Sequence, residues 1–281
     1  MSLKVGRQVG SGYQLVGSSP EAYEAYLVPP LFEPCAEQLL AAVDVGLGES
    51  VVDVACGTGV VGRRAAELVG PAGAVVGVDV NPAMVAVAAR VAPAVDWRVG
   101  DAGALPLADA SVDAWCCQQG LQFVPDRRAV LAEARRVLRP DGRVAIALWR
   151  AAADNPAFDA FADALADVVG DDAAVSMRAP FALGDREELR DLLVASGFAE
   201  PTLTLLAFAA RFSSARELLR QEVAASPLAD VVTGLPAAQQ DRLAVELGRR
   251  LDHLTDDHGV VAPMQTWLAV AHRSEGDSAG S

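Results

Sequence analysis

Residues 51–59 read Val-Val-Asp-Val-Ala-Cys-Gly-Thr-Gly, and this stretch constrains the fold more than any other. A short β-branched run holds an acid, runs into a glycine loop, and is followed from Val60 to Leu68 by a helical pattern. A second apolar run ends at Asp79, twenty residues beyond Gly59. A strand, a glycine turn and a helix, followed by a strand-end carboxylate, is the arrangement with which an α/β sheet holds an adenosine group. The glycines let the backbone approach a ligand, and the carboxylate accepts from ribose hydroxyls.

Strands are expected at residues 51–55, 74–80, 95–100, 112–118 and 143–149, with two more at 202–212 and 266–273. The first five are largely apolar, as in strands covered on both faces. The helices carry end signals. Asn81-Pro82 offers an N-cap and a proline at the first helical position. Asp126 caps a helix whose apolar face is Val130, Leu131, Ala134, Val137 and Leu138. Pro140-Asp141-Gly142 reads as a turn, and Asp185 with Glu188 as a capping box closed by Gly197. The fold class that follows is α/β: a Rossmann-like, seven-stranded, mostly parallel sheet with helices on both faces and a helical lid insertion. We expect one domain over 20–273, with its core at about 45–150, 197–212 and 259–273. The lid is expected at about 151–196 and 213–257, with flexible ends at 1–19 and 274–281.

With 281 residues there is room for such a domain and an insertion. The formal charge of −14 argues against a nucleic-acid or anionic-membrane surface. No apolar run reaches the ~20 residues of a membrane helix, and the N-terminus lacks the apolar core of a signal peptide. A cytoplasmic protein is expected, monomeric or homodimeric. Cys35, Cys56, Cys116 and Cys117 have no zinc spacing and read as reduced, small hydrophobes; no metal site is expected.

Two cofactors compete for the loop. Residues 57–62, Gly-Thr-Gly-Val-Val-Gly, match G-x-G-x-x-G, and Asp79 lies where a nicotinamide site needs an acid. Against that stand Asp53, inside the first strand, and Asp101, after the third. Carboxylates around one nucleoside repel a pyrophosphate and favour a sulfonium and an ammonium. The balance favours S-adenosylmethionine.

The blocks at residues 51–59, 77–84 (Gly-Val-Asp-Val-Asn-Pro-Ala-Met), 100–102 (Gly-Asp-Ala), 117–123 (Cys-Gln-Gln-Gly-Leu-Gln-Phe) and 136–143 (Arg-Val-Leu-Arg-Pro-Asp-Gly-Arg) resemble the class I S-adenosylmethionine-dependent methyltransferases. The likeness is strongest to the ubiquinone/menaquinone-biosynthesis C-methyltransferase branch and to small-molecule methyltransferases, and it covers roughly residues 20–150. It implies that Gly57, Thr58 and Gly59 form the loop under the methionine moiety. Asp53 would order that loop or bond the amino group through water, Asp79 would bind both ribose hydroxyls, and Val80 and Met84 would pack on the adenine. Asp101 would accept from the adenine amino group, Ala102 would reach a ring nitrogen through its backbone, and Gln118 would face the methionine end. Ala55 stands where many relatives carry a glycine, with a small change in packing expected.

Tyr23 and Tyr26, on an N-terminal helix, could close over the methionine end, and Trp149 could line the substrate pocket. His253 and His258 are candidate bases, whereas His272 reads as structural. No catalytic residue is singled out. The implied reaction is in-line methyl transfer to a small organic acceptor of quinol, phenol or other secondary-metabolite type. The alternatives are a non-methyl reaction on the same fold, such as cyclisation, and a ligand-sensing module.

Overall fold

The computed structural model describes residues 19–274. The expectations for the two chain ends therefore lie outside the described residues, apart from Ser19 and Ser274. The strands are β1 (Ser50–Val54), β2 (Ala74–Asp79), β3 (Asp96–Val99), β4 (Val112–Gln118), β5 (Leu138–Trp149), β6 (Thr202–Phe212), β7 (Thr255–Asp256) and β8 (Gly259–His272). They form one mixed sheet in the order β3-β2-β1-β4-β5-β8-β6, with β7 paired to β8. β1 to β5 run parallel to one another, and β8 pairs antiparallel with β5, β6 and β7. The strand order reverses between β1 and β4, and ligands of such sheets bind outside the carboxyl ends of the strands at that switch.

The cap signals are realised. The Asn81 side chain accepts from the N–H of Ala83, and that of Asp126 from the N–H of Ala129. The capping box is half made: Asp185 accepts from the N–H of Glu188, while Glu188 pairs with Arg127. The turn at Pro140-Asp141-Gly142 is instead carried inside β5, where the register with β4 slips between Val112 and Ala114. β8 is longer than its apolar run and pairs with all of β6.

One indole explains three glycines. Trp97 of β3 lies opposite Gly77 of β2. A Cβ on Gly77 would stand 2.1 Å from its ring; Cβ atoms on Gly59 and Gly62 would stand 2.3 and 2.8 Å away. The ring is fixed, because Trp97 Nε1 donates to the carbonyl of Ala92 at 2.8 Å. Gly77→Ala is therefore expected to cost about 1–3 kcal/mol or more, the usual penalty for overpacking. A urea melt should show that loss, and Trp97→Leu in the same chain should recover part of it. Equal midpoints for Gly77→Ala and wild type would show that the ring yields.

Two helical regions, one before β1 and one in the lid, shape the cavity. The chain is helical from Pro20 to Val43, and its middle part, Tyr23–Phe32, is a π-helix containing Pro29 and Pro30. Prolines lack the N–H that a helix interior uses, so local sequence argues against a helix there. Burial of Leu27, Val28 and Leu31 overrides it. The helices Pro156–Val168, Asp171–Arg178, Ala215–Ala225 and Ala237–Arg250 pack together around Phe161, Leu165, Leu218 and Leu247. Helix Arg186–Ala195, expected within the lid, instead buries Leu189 and Leu193 in the sheet's own core beside Ile146 and Leu148.

Candidate functional site

The carboxyl ends of β1, β2, β4 and β5 open into a cavity of about 440 Å³. Nine of the sequence-selected residues line it: Asp53, Ala55, Gly57, Asp79, Val80, Met84, Asp101, Ala102 and Gln118. Thr58, Gly59 and Tyr26 do not, and each has a physical reason.

The Thr58 hydroxyl is buried and donates to Glu24, which pairs with Arg63 at 2.9 Å. These contacts clamp the N-terminal helix onto the glycine loop. Gly59, with φ +89°, caps the following helix and faces Trp97. The Tyr26 ring lies under the Arg220 guanidinium, 4.6 Å away. Tyr23 does reach the place expected of both: it lines the cavity, and its ring is 3.9 Å from where a Gly57 Cβ would stand.

The acids are built in from the loop outward. Asp53 is 1% exposed and accepts from the N–H of Gly62 at 2.8 Å, which pins the start of the helix to β1. Burial pushes its carboxyl up to about 7, with Asp79 adding to the effect and Gly62 and Arg63 opposing it. Asp79 accepts from the N–H of Gly57 on one oxygen and from the N–H of Asn81 on the other, both at 2.8 Å. Burial raises this carboxyl too, against those two bonds. A carboxylate has about four lone-pair sites, so Asp79 keeps capacity for a ligand. Asp101 is exposed at the cavity wall and accepts from the N–H of Gly103 at 2.8 Å.

Ala55 does more than adjust packing. Its φ is +55°, the left-handed region, and a Cβ on Gly120 would stand 2.5 Å from the Ala55 Cβ. The methyl group is held there at a cost of about 1–2 kcal/mol, which a glycine would avoid. Backbone strain of this kind concentrates at ligand sites.

The three glutamines divide their work. Gln119 is structural: its amide donates to the Thr266 hydroxyl, and its oxygen accepts from the N–H of Trp149. Gln118 donates to the carbonyl of Phe32 at 2.9 Å, and its buried Oε1 has no partner. Gln122 donates to the carbonyl of Pro180, and its Oε1 is likewise buried without a partner.

Sequence reasoning did not reach Phe32, Pro180 or Glu222. Tyr23, Phe32 and Trp149 run as tilted rings with centroids 5.0 and 6.0 Å apart, and all three line the cavity. Glu222 lines it from helix Ala215–Ala225, is 9% exposed, and has an Oε2 without a partner. Burial alone pushes its carboxyl up to about 7. A signal for it existed: Glu222 lies one turn after Leu218, on the apolar stripe, where an acid is out of place. None of His253, His258 and His272 lines the cavity.

Five carboxylates (Asp53, Asp79, Asp101, Asp126 and Glu222) line the cavity, and no lysine, arginine or histidine joins them among the described residues. Such a lining suits a ligand that carries positive charge and N–H or O–H donors, and it opposes a pyrophosphate.

Residues 51–142 match a protein family described as a methyltransferase domain. The match covers 92 of the chain's 281 residues and marks a methyltransferase domain there. The methyltransferase match extends from β1 into β5 and so contains the glycine loop, Asp79, Asp101 and Gln118. The chain is 37% identical over 148 residues to the ubiquinone/menaquinone biosynthesis C-methyltransferase UbiE of Methylobacterium nodulans, covering 51% of this chain and 56% of that protein. It is 41% identical over 120 residues to the nocamycin O-methyltransferase of Saccharothrix syringae, covering 41% and 43%. The chain thus spans about half the length of these curated relatives. In overall fold it is similar to the YcgJ protein of Bacillus subtilis, with a TM-score of 0.57 and 19% identity over 86% of this chain and 98% of that one.

The cofactor of this methyltransferase domain is S-adenosylmethionine, and the residues present fit it. Its ammonium and ribose hydroxyls are donors, and the cavity offers Asp79, Asp101 and the unpartnered Gln118 Oε1 as acceptors.

Proposed function

We propose that this protein is an S-adenosylmethionine-dependent methyltransferase acting on a small organic acceptor of quinol, phenol or related secondary-metabolite type. The observation that carries the reading is the acid-only lining of the cavity at the switch point of the sheet. Asp79 would hold the ribose, Val80 and Met84 the adenine, Asp101 and Ala102 its edge, and Gln118 the amino group. Asp53, already bonded to Gly62, would fix the loop of Gly57, Thr58 and Gly59. When bound, the cofactor supplies an electrophilic methyl group. The protein's task is to orient the acceptor and keep water out. Tyr23, Phe32 and Trp149 supply an apolar wall for this, and Pro180, Glu222, Ala225 and Ser226 also line the cavity. The names of the C- and O-methylating relatives support an acceptor of this type. No described helix is long and apolar enough to cross a membrane.

S-adenosylmethionine and S-adenosylhomocysteine are expected to raise the melting temperature, and NAD and NADP to leave it unchanged, since a ligand of the native state stabilises by mass action. Formation of S-adenosylhomocysteine only when an acceptor is added would separate methyl transfer from a non-methyl reaction or a sensing role. Stabilisation by NAD alone would overturn the assignment.

A further inference from the structure

The cavity carries a second set of polar groups, contributed by the lid and by the loop after β4, whose chemistry points to a class of acceptor. Helix Ala215–Ala225 presents Glu222 there, on a turn that also buries Leu218, Leu219 and Val223. A carboxyl group in such surroundings is normally paired, because leaving it bare costs free energy. The Oε2 of Glu222 is buried with no partner, and so is the Oε1 of Gln122. Both residues line the cavity together with Phe32 and Trp149. Gln122 Oε1 can only accept, Glu222 can accept in either protonation state, and no cation stands among the lining residues to receive an anion. The rings supply flat apolar contact.

We propose that Glu222, with Gln122, is the recognition element for the acceptor, and that it selects an uncharged aromatic molecule bearing a hydroxyl donor, a hydroxyarene, over an anionic or fully alkylated one. The inference rests on the methyltransferase reading above. A hydroxyl placed against Glu222 completes the hydrogen bond that the folded chain leaves open. A carboxylate or phosphate in the same place meets Glu222 and the other lining acids with nothing to neutralise it. A site whose polar groups are buried rejects strongly a ligand that leaves them unpaired.

The test is ligand binding by the protein saturated with S-adenosylhomocysteine, read by ligand-observed NMR titration. The probes are resorcinol, 1,3-dimethoxybenzene, benzoate and benzylamine. Resorcinol is expected to bind at least about tenfold more tightly than 1,3-dimethoxybenzene, and benzoate more weakly than both; tenfold is the effect of one hydrogen bond to a charged or buried group. Glu222→Leu should bring resorcinol and 1,3-dimethoxybenzene to within about twofold of each other in protein still saturated with S-adenosylhomocysteine. Glu222→Gln, which keeps an accepting oxygen and the side chain's shape, should retain part of the preference and guards against a folding defect in the leucine variant. A wild-type preference near one, or one that survives Glu222→Leu, overturns the proposal, as does benzoate binding as well as resorcinol. Tighter binding of benzylamine replaces the hydroxyarene with a cationic amine and also overturns it. Failure of S-adenosylhomocysteine itself to bind refutes the underlying methyltransferase reading, and the proposal falls with it.

Discussion

Glu222→Leu is expected to make the protein more stable, by on the order of 1–3 kcal/mol at neutral pH. Leucine matches the neighbours Leu218, Leu219 and Val223 and removes an unpartnered carboxyl oxygen from an apolar setting. For a chain of this size the gain corresponds to a rise in melting temperature of roughly 2–10 °C. The gain should depend on pH in a defined direction. The ordinary value of a glutamate carboxyl is 4.5, and burial pushes that of Glu222 up to about 7. Below 4.5 the group is protonated in both the folded and the unfolded chain. Between 4.5 and about 7 the unfolded chain ionises while the folded chain holds its proton, so wild-type stability falls as pH rises. Above about 7 both forms are ionised, and the difference between wild type and variant levels off. Melting curves of the two proteins from pH 4.5 to 8 should therefore diverge up to neutrality. A leucine variant that melts lower than wild type at every pH would show that Glu222 has a stabilising partner. Proteins keep such destabilising groups where binding needs them.

Asp79→Ala is expected to weaken S-adenosylhomocysteine binding by at least 10- to 100-fold. Hydrogen bonds to a charged group contribute about 1.5–3 kcal/mol each, and two ribose hydroxyls would be lost. A strand-end acid near the sheet edge reads from sequence as dispensable for folding. The structure adds a stability cost, because Asp79 also accepts from the N–H groups of Gly57 and Asn81. Alanine leaves both without that acceptor and should cost about 1–3 kcal/mol of stability. Asp79→Asn keeps one accepting oxygen and should fall between wild type and alanine on both measures. Calorimetric titration with S-adenosylhomocysteine and thermal melts of the three proteins separate the two roles. Equal affinities in three folded proteins would remove Asp79 from the ribose site.

Much of the sheet was legible because its strands are locally consistent. Apolar runs bounded by glycine, Asn81-Pro82 and Asp126 mark ends that propensity, burial and capping all favour together. The carboxylates of the cofactor half were legible for the same reason, since a strand end is a place that sequence can mark. The acceptor half was not. Of the two tyrosines expected on the N-terminal helix, Tyr23 lines the cavity and Tyr26 lies under Arg220, and the π-helical winding of Tyr23–Phe32 leaves no local pattern that tells them apart. Phe32 and Trp149 meet across 117 residues of chain, and Glu222 reaches the cavity only through packing of helix Ala215–Ala225 against the N-terminal helix. Such long-range contacts leave no local periodicity. The strain at Ala55 was invisible too, because left-handed backbone at a non-glycine residue is imposed by surroundings.

The indole of Trp97 has a further consequence, for descent rather than for stability. Gly59, Gly62 and Gly77 are each kept small by the same ring. Gly62 and Gly77 therefore form, with position 97, a heritable unit: neither glycine is free to drift while the tryptophan remains. Gly59 is held twice, since its φ of +89° favours glycine whatever stands at position 97. One letter of the G-x-G-x-x-G pattern in this chain, Gly62, thus records the width of a neighbouring side chain, and its loss in a descendant would say little about which nucleotide it binds.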